Sequence, residues 1–164
     1  MVAKFSVRMQ PSQYMSELDE IDRRILRELA LDGRLSNLAL ADLVGLSPSA
    51  CLRRVAALEK RGVITGYRAV LNPEKVGIGF TAYVTVGLNK HNKEAQEAFE
   101  GAMIRAPEVR ECHNTTGAVE YLLRVEVADL ADYKHFHTEV LGTLSQVNSI
   151  TSYVVMGSPK DERA

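Results

Sequence analysis

The chain has 164 residues, enough for one ordinary domain or two small ones, and its 25% charged and 46% hydrophobic content is that of a soluble globular protein. No apolar run approaches the roughly 20 residues of a membrane span, and the N-terminus lacks the unbroken apolar core of a signal peptide, so a cytoplasmic location and no membrane partner are expected. The net charge of −1 hides an asymmetry: residues 1–75 are net +3 and residues 76–164 net −4. That division fits a front part facing an anionic partner and a back part that does not touch it.

Residues 1–17 carry no hydrophobic period and include Pro11, and they read as a flexible arm. From Leu18 the pattern sharpens. Leu18, Ile21, Ile25 and Leu29 recur at helical spacing, Asp19, Glu20 and Asp22 sit in the first turn, and Asp32-Gly33 ends the helix. Ser36 then reads as the cap of a second helix with Leu38, Ala41 and Val44 on its apolar face. Gly45 breaks that pattern, free to take positive φ. Ser47 caps a third helix, with Pro48 at its first position, Leu52, Val55 and Leu58 as its inward stripe, and Lys60-Arg61-Gly62 as a cationic last turn and stop.

Helix, glycine turn and helix of this length form the pattern of a helix-turn-helix. A helical hairpin in an all-helical core would show the same stripes. Two features favour the DNA-reading alternative. Small residues cluster at the start of the third helix, the end that enters the groove in this motif, and Ser47, Pro48, Ser49, Ala50, Arg53 and Arg54 suit close approach to base edges and phosphates. Two short β runs around Thr65-Gly66, within Val63–Leu71, follow at once where a wing would stand. Arg34, Lys60, Arg61 and Arg68 are placed to hold the DNA backbone. The front half is only mildly basic, so useful binding calls for more than one copy on the same DNA.

Residues 72–79, with Asn72-Pro73 and Gly77-Ile78-Gly79, read as a linker between a head at 18–71 and a body at 80–156. In the body, Phe80, Ala82, Val84, Val86 and Leu88 alternate with Thr81, Tyr83, Thr85 and Gly87, a strand buried on one face. Asn92–Ala106 is helical and Pro107 stops it. Val109–Thr116 and Val119–Ala128 read as strands joined by a tight hairpin at Gly117-Ala118. Asp129 caps another helix with Leu130, Tyr133, Phe136, Val140/Leu141 and Leu144 as its stripe, Val147–Met156 is a last strand, and 157–164 is a charged tail. The order β-α-β-β-α-β predicts a ferredoxin-like sheet, so the fold class is α+β with a winged helix-turn-helix in front. Leu122 stands opposite Val119, Tyr121, Leu123, Val125 and Val127 on its strand. An apolar residue on each side implies that the uncovered face is buried against a second copy, giving a twofold dimer.

Little else carries chemistry. Cys51 and Cys112 lie in separate segments without a CxxC or Cys/His neighbour and read as buried free thiols. His135 and His137 are two apart on a helix and face different ways, and His91 and His113 are isolated. No phosphate loop, GxSxG or HExxH is present. No metal, cofactor or enzyme activity is expected.

The run Leu18–Leu26, then Asp32-Gly33-Arg34-Leu35-Ser36, Val44-Gly45-Leu46-Ser47-Pro48, Arg54-Val55, Leu58-Glu59, Gly62–Tyr67 and Leu71-Asn72-Pro73 resembles the Lrp/AsnC (feast/famine) transcription regulators. Glu111-Cys112-His113, Thr116-Gly117, Tyr121-Leu122-Leu123 and Tyr153–Met156 continue the match through the body. The resemblance implies a nucleoid-associated regulator that reads a palindromic operator in double-stranded DNA. It implies a body of the RAM/ACT type that dimerises, commonly assembles into an octamer, and binds an amino-acid effector between neighbouring dimers. The effector positions it implies are Thr115, Thr116, Gly117, Ala118, Glu120, Tyr121, Ser152 and Tyr153. Backbone N–H groups of the Thr116–Ala118 turn suit a carboxylate and Glu120 an ammonium, although a solvated strand charge is an equal reading of Glu120. Ala118 stands where the family often has an acid, and Glu120 where Asp is common. A regulator without a ligand, a metabolite-binding module that has lost DNA binding, and an enzyme on the ferredoxin-like sheet are the competing readings.

Overall fold

The computed structural model describes residues 18–161, so the arm expected over 1–17 and the last residues of the tail lie outside the described part. The chain divides into two compact units between Ala69 and Val70.

In the first unit, α1 (Glu20–Leu31), α2 (Asn37–Val44) and α3 (Pro48–Lys60) each begin on a side-chain cap. Asp19 Oδ1 accepts from Asp22 N at 2.8 Å, Ser36 Oγ from Ala39 N at 3.1 Å, and Ser47 Oγ from Ala50 N at 3.3 Å. Each bond satisfies a backbone donor that the first helical turn leaves unpaired. Gly45 closes α2 in the left-handed region at φ 73°, and Leu46 N donates to Ala41 O at 2.9 Å. That turn sends the chain directly into α3.

The core of this unit is Ile25, Leu40, Ala41, Val44, Cys51 and Leu58. Leu40 therefore takes the inward place expected of Leu38, and Cys51 that of Leu52, while Leu38 and Leu52 are 60% and 58% exposed. Adjacent residues lie about 100° apart on a helix, so a shift of the stripe by one residue in α3 and by two in α2 decides which side chain is buried. The expected strands of the wing do not form, and residues 65–72 carry no regular secondary structure. The amides of Val63 and Ile64 are engaged elsewhere, both donating to Leu58 O, at 2.9 and 3.3 Å, and so closing the end of α3. Their side chains pack half-buried on the helical core.

In the second unit a single 3-10 turn (Glu74–Val76) leads into β1 (Phe80–Leu88), α4 (Lys93–Arg105), β2 (Val109–Asn114), β3 (Tyr121–Val127), α5 (Leu130–His135, continuing through one π turn to Leu141) and β4 (Val147–Val154). The strands form one antiparallel sheet in the order β2-β3-β1-β4. Both helices cover one face, where Ala82, Val84, Val86, Tyr121, Leu123 and Val125 pack against Phe99, Met103, Tyr133 and Phe136. Full burial of each aliphatic side chain contributes about 1.5–3 kcal/mol.

The expected tight hairpin at Gly117 is a longer loop, since the last β2–β3 pair is Asn114 with Tyr121. The uncovered face carries charge as well as apolar surface. It carries Leu122, but beside it Arg124 pairs with Glu126 at 2.7 Å and with Glu111 and Asp161 at 3.5 Å, and Arg110 reaches Glu126 at 3.1 Å. The face is therefore mixed, with these ion pairs beside Leu122, Tyr83 and the exposed Tyr153.

Candidate functional site

The outward face of α3 begins at its cap. Ser47, Pro48, Ser49, Arg53 and Lys60 are exposed and Ala50 is half-buried beside them. Asn37 Nδ2 donates to Pro48 O at 2.8 Å, fastening the start of α3 to the start of α2, and the Ser47 and Ser49 hydroxyls lie 3.3 Å apart. Small side chains at this end leave the backbone open to a groove. Leu52 and Ala56, which the sequence reading left out of the site, share the exposed side with Arg53. An apolar group there suits the 5-methyl of thymine. The missed signal was Cys51: a small, easily buried residue one position before Leu52 can take its place in the stripe.

Arg54 is not part of that open face. Its Nη1 donates to Asp19 Oδ2 and to Asp22 Oδ1, both at 2.7 Å. These bonds, led by the one to Asp22, raise the Arg54 pKa further. Asp19 is held below its ordinary 3.8 chiefly by the backbone N–H of Asp22 and then by Arg54. The other expected cations are Arg34 in the turn after α1, Lys60 and Arg61 at the end of α3, and Arg68 in the segment that follows, all exposed. The Tyr67 hydroxyl donates to Glu59 Oε1 at 2.9 Å, tying that segment to α3; burial, then Glu59, pushes the phenol pKa up.

The second candidate site is the loop from Thr115 to Glu120. Thr115 N donates to Glu120 O at 2.8 Å and Thr115 Oγ1 to Val119 O at 3.1 Å, which closes the loop and leaves Thr116, Gly117 and Ala118 exposed, Gly117 at φ 139°. Glu120 turns back into the sheet end. Its Oε2 accepts from Leu88 N at 2.7 Å, and its Oε1 lies 2.7 Å from His91 Nδ1. Gly87, beside them, makes room for Ser149, since a Cβ there would stand 2.5 Å from Ser149 Oγ but only in ordinary contact, 3.6 Å, with Glu120 Oε2. His91 and Ser149 join the loop only through pairing of distant strands, a signal absent from the sequence.

The other expected effector residues lie elsewhere. Tyr121 alternates to the helical side, fully buried, with its ring 4.5 Å from Phe99 and its hydroxyl donating to Glu100 Oε1 at 2.9 Å; burial pushes that phenol well up. Ser152 pairs with Val84 and accepts from the Tyr133 hydroxyl. Tyr153 pairs with Tyr83 on the open face. The loop meets β1 near Val86 to Leu88, so at about 3.3 Å per residue Ser152 and Tyr153 lie well along the sheet from it. One protomer does not gather the eight residues.

A three-helix head whose last helix presents small, cationic and apolar residues, joined in sequence to a ferredoxin-like body with an exposed loop, is the arrangement of a two-unit DNA-binding regulator. Comparison with known proteins gives the same class. Residues 18–65 match the model described as winged helix-turn-helix DNA-binding, and residues 81–164 match the Lrp/AsnC ligand binding domain. The leucine-responsive regulatory proteins of Escherichia coli (strain K12) and Salmonella typhimurium are 42% identical over 144 residues, covering 88% of each chain. Among solved structures, a transcriptional regulator from Neisseria meningitidis in complex with L-Met superposes with a TM-score of 0.84 at 37% identity, over 88% of this chain and 93% of that one. An AsnC family regulator from Agrobacterium tumefaciens gives 0.82 at 35% identity, over 88% and 94%. The chain belongs to the Lrp/AsnC family of transcriptional regulators. It is a DNA-binding regulator with a ligand-binding domain. Among the described residues no helix is long and apolar enough to cross a membrane, and no three His, Cys, Asp or Glu side chains gather as a metal site.

Proposed function

We propose that this regulator acts in the cytoplasm, on the nucleoid, as an assembly of dimers, reads a palindromic operator through α3, and adjusts its binding to an amino acid held at the body. The exposed end of α3 carries this reading. Ser47, Pro48, Ser49 and Ala50 let the helix close on the groove, Arg53 and Leu52 meet base edges or phosphate, and Arg34, Lys60, Arg61 and Arg68 hold the backbone. Twofold pairing of the bodies presents two heads to two half-sites, which offsets the modest charge of each.

The effector contacts we propose are the backbone N–H groups of Thr116, Gly117 and Ala118 for the carboxylate, with Thr115 bracing the loop and Glu120 facing the ammonium. Ser152, Tyr153 and the wall around Tyr121 come from another subunit or act through the sheet. The L-Met complex of the Neisseria regulator supports an amino-acid ligand. One observation favours a second reading, a regulator without effector: both Glu120 oxygens already have partners in Leu88 N and His91.

Selection from a pool of random 30-base-pair duplexes, followed by anisotropy titration of the enriched duplex, tests the first part. Wild type is expected to enrich a palindrome, and Arg53→Ala to weaken binding to it by about tenfold, or roughly 1.4 kcal/mol. Enrichment of no duplex rejects DNA reading. A thermal-shift screen of the twenty amino acids tests the second part: a rise with one or a few of them, lost in Glu120→Gln, supports the effector, and a flat profile selects the ligand-independent regulator.

A further inference from the structure

We infer that Arg54 is a positioning residue of the recognition helix, a strut that sets how α3 is presented to DNA, and that it does not itself contact DNA. This rests on the proposed reading of α3 as the DNA-binding element. The geometry is specific. One guanidinium nitrogen bridges two carboxylates of α1, at 2.7 Å each, across 35 and 32 residues of sequence. Asp22 is the buried charged residue of the head, 7% exposed. Asp19 divides its carboxylate, Oδ1 capping α1 at Asp22 N and Oδ2 taking Arg54. The strut therefore joins the capped first turn of α1 to the middle of α3.

Helix geometry says why this residue holds the pose. Cys51, Leu58 and the half-buried Val55 face the head core, and Arg53, one residue before Arg54, faces out. Arg54 stands at the boundary between the two sides, where a charged link resists rotation of α3 about its own axis. Apolar packing is non-directional and resists such rotation poorly. Two hydrogen bonds to fixed carboxylates are directional. A rotation of about 100° would replace Arg53 by its neighbour on the groove face.

The consequence has a sign that a DNA contact would not share. Asp22 is an anion, and removing an anion near DNA strengthens binding if only the electrostatic field matters. If Arg54 acts through Asp22, Asp22→Asn weakens operator binding instead. The same logic separates the variants of Arg54. A phosphate contact survives as Arg54→Lys, since an exposed lysine can swing to the anion, whereas the shorter lysine arm does not carry its ammonium to the point where Nη1 meets both fixed carboxylates.

The test uses the full-length protein and the duplex enriched by wild type, with affinities measured over a series of salt concentrations. Arg54→Met, Arg54→Lys and Asp22→Asn are all expected to lose about tenfold in operator affinity and to share one salt slope, because Arg54 itself makes no phosphate contact to lose. Asp19→Asn keeps the helix cap and removes one arm of the strut, and is expected to lose less. Circular dichroism at the assay temperature shows that each variant is folded. If Arg54→Met does not fold, Arg54→Lys and Asp22→Asn decide. A salt slope reduced by about one in Arg54→Met, rescue by Arg54→Lys, or tighter binding by Asp22→Asn overturns the inference and makes Arg54 a phosphate contact. Wild-type affinity in all variants overturns it as well. Failure of wild type to select any duplex is a different result, which removes the proposed function itself.

Discussion

Gly45 shows how one residue can shape a whole motif. It sits at φ 73° and ψ 38° between α2 and α3, and a Cβ built there would have no heavy atom within 4 Å. Space is therefore not what favours glycine. The left-handed backbone is, since an L side chain there meets its own carbonyl at a cost of about 1–2 kcal/mol. Gly45→Ala is expected to lower unfolding stability by that amount, read by denaturant titration, with the turn otherwise intact. A result within error of wild type would mean the turn can be made another way. Cysteines illustrate the opposite case, in which burial sets the chemistry. Cys51 is fully buried and Cys112 half-buried, and desolvation raises both thiols, Cys112 to about 11 with Glu100 adding to the shift. Neither has the character of a reactive thiolate.

At the scale of elements, α1 does more than wall off the core. Its first turn holds Asp19, whose depressed pKa couples stability of the head to acid. The sign follows from linkage: a carboxyl held below its unfolded value contributes stability that is present above about pH 4 and is lost as pH falls through the folded value. Urea titrations of the protein between about pH 2.5 and pH 6 should show the head losing stability below pH 4, with a smaller loss in Asp19→Asn, which keeps the cap without the charge. An identical acid profile in that variant would remove Asp19 from the account. Elements also show what local sequence encodes. Asp19, Ser36, Ser47, Asn92 and Asp129 all cap the helices that follow them. Alternation expected over Phe80–Leu88 is realised from Ala82 to Val86 in β1, while Phe80 is only half-buried and Gly87 is buried with its neighbours. At the expected wing, the amides of Val63 and Ile64 close the end of α3 instead of pairing with another strand.

For the molecule as a whole, two units each carry a core of their own. Ile25→Ala and Leu123→Ala both remove fully buried side chains, and each is expected to cost about 2–5 kcal/mol. Scanning calorimetry should assign the two losses to different transitions, with the thermal shift by an amino acid retained in Ile25→Ala. A single transition lowered alike by both variants would show that the units unfold together.

The sequence by itself determined the helix starts, the β-α-β-β-α-β order and the family, because caps, periodicity and turn glycines act within a few residues of chain. It also marked the small residues at the start of α3 as a face fit for DNA. Only the tertiary structure decided that Leu40 and Cys51 turn inward while Leu38 and Leu52 turn out, that Arg54 serves Asp19 and Asp22, and that Glu120 meets His91. It decided too that Tyr121 turns to the helical side while Glu120 reaches Leu88 N, and that an ion-pair network around Arg124 stands beside Leu122 on the uncovered face. The physical reason is range. A helix cap reaches its donor within three residues, whereas the partner of a boundary side chain lies tens of residues away and is chosen by how whole elements pack.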